Sequence, residues 1–375
     1  VGLRLDPRTG AISGNPTLVD NVVVTVRATD ANGHTADIQV NIRDVAAFQP
    51  YLVSAGNGAT TNRGILPRAL VNRTTYATGT AVAMYDGTES RARAQYVPFI
   101  GFRGEVRVAL DDVNSDGRVD ILAVPGPGAA PVIKMLDVQS GATVRTFMPF
   151  SAGYRGGVFL TTGDINNDGV RDVIASTGGG TQPRVVAFDA RSGAKILDFN
   201  PFDRSFKAGV TVAVTDTDRN GVNEIIVGSG VGDRALVRIF DSVSLSLVRE
   251  FSPFGRNSRA GVNVAAGDIG GDGINEIVAA TMSAESRVTV WNARTFQMVD
   301  NFFAYGQNDG LTPFPGGVRV AIEDYNRDGR GDLITGAGAT GFPHVRVWAV
   351  VRGKFRDVAS YYATDASDLG GVHIG

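Results

Sequence analysis

Cysteine is absent from the 375 residues, histidine occurs only as His34, His344 and His373, and no run of 18 apolar residues exists. Without cysteine there is no disulfide scaffold, no thiolate metal site and no cysteine nucleophile. With so little histidine, and no Ser/His/Asp or paired-carboxylate constellation outside the acidic repeats described below, the expectation is a protein that is not an enzyme. The lack of a long apolar run excludes a membrane-spanning helix, hence no membrane insertion. An excess of one charge is also missing: 36 basic residues face 38 acidic ones, which argues against nucleic acid or an anionic membrane surface as partner. The chain begins at Val1 with no basic-then-apolar leader and reads as starting inside a domain, a fragment of a longer multi-module protein.

What is abundant is glycine, 48 residues, set among Val-rich alternating runs; the combination predicts many short strands joined by tight turns. A nine-residue stretch recurs five times as DVNSDGRVD (112–120), DINNDGVRD (164–172), DTDRNGVNE (216–224), DIGGDGINE (268–276) and DYNRDGRGD (324–332). Oxygen-bearing side chains fall at its first, third, fifth and ninth positions and glycine at the sixth. That is how a short loop curls carboxylates around a hard cation, and it predicts up to five bound Ca2+. An EF-hand or dockerin loop also starts D-x-N-x-D-G, but it needs Glu at position 12 and flanking helices. Position 12 of the first stretch is Ala123, inside a strand-like run.

First-position aspartates are spaced by 52, 52, 52 and 56 residues. Within each period four strand candidates recur, as in VRVALDD, DILAVPG, PVIKMLD and ATVRTFMPF, and four strands per period of about 50 residues make a propeller blade. Residues 51–99 hold only the equivalents of strands two to four, and GGVHIG at the C-terminus matches the first strand alone. Joined, the ends complete a sixth blade and close the ring, hiding edges that a linear array exposes; the competing reading is a chain cut at 375. The fold class is therefore all-β: a six-bladed propeller of four-stranded blades over 46–375, preceded by a partial Ig-like unit over 1–45.

That first unit carries LRLDPRTGAISGNP and then two alternating strands around ATDANG. It resembles the C-terminal part of a He-PIG-type, cadherin-like immunoglobulin module. The repeats resemble the FG-GAP and VCBS propeller repeats of integrin α-chain heads and many secreted bacterial proteins, over residues 51–375. This resemblance implies calcium between the first and second strands of a blade. Its side-chain ligands would be Asp112, Asn114, Asp116 and Asp120; Asp164, Asn166, Asp168 and Asp172; Asp216, Asp218, Asn220 and Glu224; Asp268, Asp272 and Glu276; and Asp324, Asn326, Asp328 and Asp332. Arg118, Val170, Val222, Ile274 and Arg330 would add backbone carbonyls. The fourth loop, with Gly270 and Gly271, departs most and should bind weakest.

The ions are expected to be structural, neutralising clustered carboxylates and locking each turn. Loops with several exposed carboxylates suit the millimolar Ca2+ outside cells, so the expected setting is extracellular or cell-surface, in a bacterial protein. The expected role is an adhesion or recognition module, a monomeric propeller binding a protein or glycan. A lectin-like propeller and a polysaccharide-lyase-type propeller are the alternatives. Loops that break the repeat, 57–80 and 306–315, are free to specialise, with Phe314, Phe342 and His344 as candidate ligand contacts. Aromatic pairs close each fourth strand (Tyr96/Phe99, Phe147/Phe150, Phe199/Phe202, Phe251/Phe254, Phe302/Tyr305) and are expected to pack blade against blade. Arg330-Gly331-Asp332 spells RGD inside a calcium loop, and Asn72-Arg73-Thr74 is a glycosylation sequon.

Overall fold

A computed structural model describes residues 3–5, 12–14, 22–29, 35–42, 53–56, 80–85, 92–115, 118–138, 140–306, 312–325, 328–351, 354–363 and 370–375. The chain divides into two compact units, Val1–Gln49 and Pro50–Gly375.

In the first unit β1 (Leu3–Leu5) pairs antiparallel with β2 (Ile12–Gly14), and β3 (Val22–Thr29) with β4 (Thr35–Ile42). The alternation of β3, VVVTVRAT, against TADIQVNI is the half-buried strand pattern. Residues 30–34 of the turn and the 45–50 linker lie outside the described residues.

The second unit is a β-propeller of four-stranded blades. Before its first blade run β5 (Val53–Gly56), β6 (Val82–Tyr85) and β7 (Ala92–Tyr96). The first blade is β8 (Val106–Asp111), β9 (Asp120–Pro125), β10 (Ile133–Asp137) and β11 (Thr143–Phe147). The next comprises β12 (Val158–Gly163), β13 (Asp172–Thr177), β14 (Val185–Asp189) and β15 (Lys195–Phe199). Then come β16 (Val210–Thr215), β17 (Glu224–Ser229), β18 (Val237–Asp241) and β19 (Leu247–Phe251). They are followed by β20 (Val262–Gly267), β21 (Glu276–Thr281), β22 (Arg287–Asn292) and β23 (Met298–Phe303). The last consecutive set is β24 (Val318–Glu323), β25 (Asp332–Ala337), β26 (His344–Val351) and β27 (Lys354–Tyr362), and β28 (Val372–Ile374) ends the chain.

Where the repeats predict six blades, the structure builds five from four consecutive strands each; the remaining strands form a further four-stranded sheet in the order β28-β5-β6-β7. The reason for the difference is in the chain: β5 has no first strand upstream of it, and β28 supplies one, with Val372 opposite Gly56 and Ile374 opposite Ser54. Val372 and Ile374 also pack with Ile334, Val345 and Val347 of the β24–β27 blade.

Burial explains the composition of each strand. Second strands such as DVIAST and EIIVGS are buried along their whole length, so they read as near-continuous apolar runs. Fourth strands such as LVREF are exposed edges and carry charge, which blunts edge-to-edge association. Between third and fourth strands every sheet has the same register shift, at Met84/Tyr85, Met135/Leu136, Ala187/Phe188, Ile239/Phe240, Val290/Trp291 and Val347/Trp348. Aromatic residues beside the shift meet the fourth strand of the preceding blade: Phe188 on Phe147, Phe240 on Phe199, Trp291 on Phe251 and Trp348 on Phe302, with centroids 5.4, 5.1, 5.0 and 4.6 Å apart. The first aromatic of these pairs thus serves blade-to-blade packing.

A second interlock sits just before each inner strand. Gly157, Gly209 and Gly317 have φ of 81°, 78° and 81°. Within each blade their carbonyls accept bonds from the amides of Gly178, Gly230 and Gly338 at 2.8, 2.9 and 2.9 Å, while across blades Gly209 lies against Gly178. A Cβ on Gly209 would stand 2.4 Å from the Gly178 carbonyl carbon, so this approach admits only glycine.

Candidate functional site

The five acidic stretches each join a first to a second strand, so they share one face of the propeller. Their local geometry repeats. The first-position Oδ2 of Asp164, Asp216, Asp268 and Asp324 accepts the amide of Gly169, Gly221, Gly273 and Gly329 at 2.8, 2.9, 2.8 and 2.9 Å. The fifth-position side chain accepts the seventh-position amide: Asp168 from Val170, Asn220 from Val222, Asp272 from Ile274 and Asp328 from Arg330, at 2.7–3.0 Å. The ninth-position carboxylate accepts the second-position amide, as Asp172 does from Ile165 (3.0 Å), Glu224 from Thr217 (2.7 Å), Glu276 from Ile269 (3.0 Å) and Asp332 from Tyr325 (3.1 Å). In the first stretch Asn114 Nδ2 donates to Asp120 Oδ1 at 3.4 Å. Asp116 and Asn326 lie outside the described residues.

These bonds curl the chain but leave oxygen over. Fourth positions Ser115, Asn167, Arg219 and Gly271 all take positive φ (57°, 60°, 67° and 67°), so the stretches share one backbone turn. In the third stretch one oxygen each of Asp216, Asp218 and Glu224 lie within 4.8 Å of one another, the one such acidic trio among the described residues. In the second, Asp172 is fully buried and its Oδ1 has no hydrogen-bond partner, an orphaned acceptor beside Asp164 and Asp168. Burial pushes the Asp172 carboxyl up to about 7, its bond from Ile165 opposing and Asp168 and Asp164 adding. Glu276 is likewise raised to about 7 by burial, against the pull of the Ile269 amide and with Asp272 and Asp268 adding. The donor set is entirely hard oxygen, and its crowded negative charge fits a hard divalent cation. Neighbouring stretches are tied together: Asn223 Nδ2 donates to the Asp164 carbonyl at 2.6 Å and Asn275 Nδ2 to that of Asp216 at 2.8 Å. The carbonyls assigned from the resemblance belong to residues in differing settings: Val170 is buried, whereas Arg118 and Arg330 are exposed. In the fourth stretch Gly271 N donates to Asp268 Oδ1 at 2.6 Å, the same bond that Arg219 N makes to Asp216 Oδ1 in the third. Asp332 of the RGD tripeptide is buried and committed to Tyr325, so the tripeptide is not displayed.

With fold and loops in view, comparison with known proteins adds a finding about the first unit. Residues 1–43 match the He_PIG family model, "Putative Ig domain". The He_PIG segment is thus a small fraction of the chain. A chain of "Crystal Structure of Mitotic Checkpoint Complex" is 16% identical, with 76% of this chain and 72% of that chain covered and a TM-score of 0.43. "Structure of Dos1 propeller" is 12% identical, with 78% and 68% covered and a TM-score of 0.42.

Downstream of the He_PIG segment, the ligand surface expected at the irregular loops is visible in part. Residues 57–79 (with the sequon) and 307–311 lie outside the described residues. Phe314 is half-buried and meets Tyr305 edge-on at 6.3 Å, so it belongs to packing. Phe342 is 50% exposed and meets Tyr362, also 50% exposed, at 6.2 Å; Tyr362 lies 5.0 Å from His344, whose Nε2 bonds Ser360 Oγ at 2.7 Å. Burial, then Arg346, lowers His344 below its ordinary range. Tyr362 and Ser360 were missed because they belong to a long outer strand with no counterpart motif in the other repeats.

Along the propeller axis the inner strands β8, β12, β16, β20, β24 and β28 line one channel. It has a chamber of about 460 Å3 on the side of the acidic stretches and a smaller one of about 80 Å3 beyond.

Proposed function

We propose that residues 46–375 form a ring of six blades closed by β28, stapled by Ca2+ in the acidic loops. It would act as a non-enzymatic adhesion or recognition module, with FG-GAP/VCBS-type repeats, in a secreted or cell-surface protein. The observation that carries the calcium reading is the convergence of Asp216, Asp218 and Glu224 oxygens within 4.8 Å, in a loop whose hydrogen bonding recurs in the other blades. Asp216, Asp218, Asn220 and Glu224 would hold the ion there, with homologous positions elsewhere. The ion would supply charge neutralisation; the chain supplies the curl, through the glycine at position six and the bonds from positions one and five. The composite sheet supports ring closure because it has the same third-to-fourth-strand shift as the others and shares a core with the β24–β27 blade. The extracellular setting is supported by the several carboxylates of each loop, which suit millimolar calcium.

Calcium titration by calorimetry tests the reading. The wild-type chain is expected to bind several Ca2+ and Asp216→Asn/Asp218→Asn one fewer, with Mg2+ a poor competitor; no heat of binding at millimolar calcium rejects it. A second reading, glycan recognition, is favoured by exposed Phe342 and Tyr362 beside His344. A glycan array with the calcium-loaded chain, and with Tyr362→Ala as control, would separate it from protein recognition.

A further inference from the structure

The second residues of the six inner strands stand level around the channel: Arg107, Phe159, Thr211, Asn263, Arg319 and His373. Three of them perform the same structural task. Arg107 Nη1, Thr211 Oγ1 and Asn263 Nδ2 donate to the carbonyl that opens the next inner strand, at Val158 (3.0 Å), Val262 (2.7 Å) and Val318 (2.7 Å). For the second blade Ser176 Oγ does this instead, donating to Val210 at 2.6 Å. Arg319 is the exception. Its Nη1 turns to the Ala337 carbonyl of its own blade at 3.0 Å, and among the described residues no carboxylate stands within ion-pair distance of it. A guanidinium has five N–H donors in a planar fork, and Arg319 spends one on the protein.

The surrounding charge is incomplete as well. Glu105 pairs with Arg107 Nε at 2.8 Å and touches His373 Nε2, and Arg107 lies over the Phe159 ring at 3.4 Å. Burial, reinforced by Arg319, lowers His373 to about 4, so it is neutral near pH 7. Two guanidinium groups and one carboxylate therefore leave one net positive charge at a part-open chamber of about 80 Å3. Val108, Leu160, Val212, Val264, Val320 and Ile374 line both this chamber and the inner end of the larger one, whose outer end carries Asp111, Asp112, Arg171 and Glu323.

We propose that the small chamber is a binding site for the carboxylate of a small organic acid, held by the free edge of Arg319 with Arg107 behind it, the acid's short apolar body lying against the Val108, Leu160, Val212, Val264, Val320 and Ile374 side chains. One uncompensated charge matches a monoanion; a dianion such as sulfate would over-neutralise it. A guanidinium fork fits a carboxylate by two parallel bonds. The anchoring groups of the site, Arg319 and Arg107, lie outside the acidic stretches.

Butyrate, butanol and sulfate at constant ionic strength are the probes, titrated into the whole chain by calorimetry and by NMR of 13C-labelled butyrate. Saturable butyrate binding with an apparent Kd of about 1 mM or tighter is expected. Butanol and sulfate should bind at least 10-fold more weakly. Arg319→Gln should lose butyrate at least 10-fold, Arg319→Lys should keep part of it, and Arg294→Gln, at an exposed turn, should match wild type. If Arg319→Gln does not fold by circular dichroism, the wild-type series and Arg319→Lys still decide. No saturable butyrate binding, sulfate binding tighter than butyrate, or unchanged affinity in folded Arg319→Gln overturns the proposal.

Discussion

Replacing Asp172 by Asn should change stability in opposite directions with and without calcium. In the metal-free protein the Asp172 carboxyl is fully buried, one oxygen bonded to Ile165 N and the other orphaned, and its pKa is raised from 3.8 to about 7 by burial foremost. A raised carboxyl pKa means that the folded state prefers the protonated form. Stability tied to this group is therefore full below about pH 4 and is lost as pH rises through 7. At 1.36 kcal/mol per unit the shift corresponds to at most ~4 kcal/mol, and to about 2 kcal/mol after allowance for solvent screening through the exposed residues 166–169 beside it. Asn keeps the acceptor for Ile165 and removes the charge. For a domain of roughly 300 residues, 2 kcal/mol is about 3 °C, so Asp172→Asn should melt about 3 °C above wild type in EDTA at pH 8. The gap should shrink as pH falls through 7 and vanish near 4. With calcium about 1,000-fold above the site's Kd, the linkage lost with the ligand is ~4 kcal/mol, and the variant should melt about 3 °C below wild type. Differential scanning calorimetry in the two buffers reads both numbers. Destabilisation in EDTA, or the same shift in both buffers, would refute the assignment of Asp172 as a strained carboxylate awaiting a cation.

Gly209→Ala should cost about 3 kcal/mol or more, because it places a Cβ at φ +78° against the Gly178 backbone 2.4 Å away. Its melting point should fall by about 5 °C, and a fall under 1 °C would show that the blades do not interlock there. Tyr305→Phe removes a buried hydroxyl set 2.8 Å from Thr335 O and 2.9 Å from His344 O. It should cost about 1–2 kcal/mol in urea unfolding with an unchanged m-value. Asn223→Ala severs the 2.6 Å bond to the Asp164 carbonyl and should weaken calcium at the second loop several-fold while leaving the fourth unchanged, read by calorimetry on the paired variants.

The period of 52 residues, the four strands per blade and the recurrent aromatics were legible because propeller blades repeat the same packing problem, and Phe147, Phe199, Phe251 and Phe302 solve it alike. The acidic loops were legible as recurrent turns for the same reason, but the bond by which the ninth-position carboxylate reaches back to the second amide was not. What escaped was the channel. Arg107, Arg319 and His373 occupy the second place of VRV, VRV and VHI, where the other repeats have Phe, Thr and Asn. Only the ring brings residues some 50 to 270 positions apart to one level. The candidate surface at Phe342 and His344 was only half legible, since Tyr362 and Ser360 reach it through the cross-strand register of β26 and β27.

Thermal unfolding of the whole chain, first in EDTA and then through a calcium titration, bears on the stapled ring without intermediaries. At calcium 100-fold above Kd each occupied loop adds ~2.7 kcal/mol, about 4 °C for a domain of this size, so several loops should raise the melting point by 10 °C or more and protect the chain from proteolysis. A melting curve that EDTA and millimolar calcium leave unchanged would contradict it.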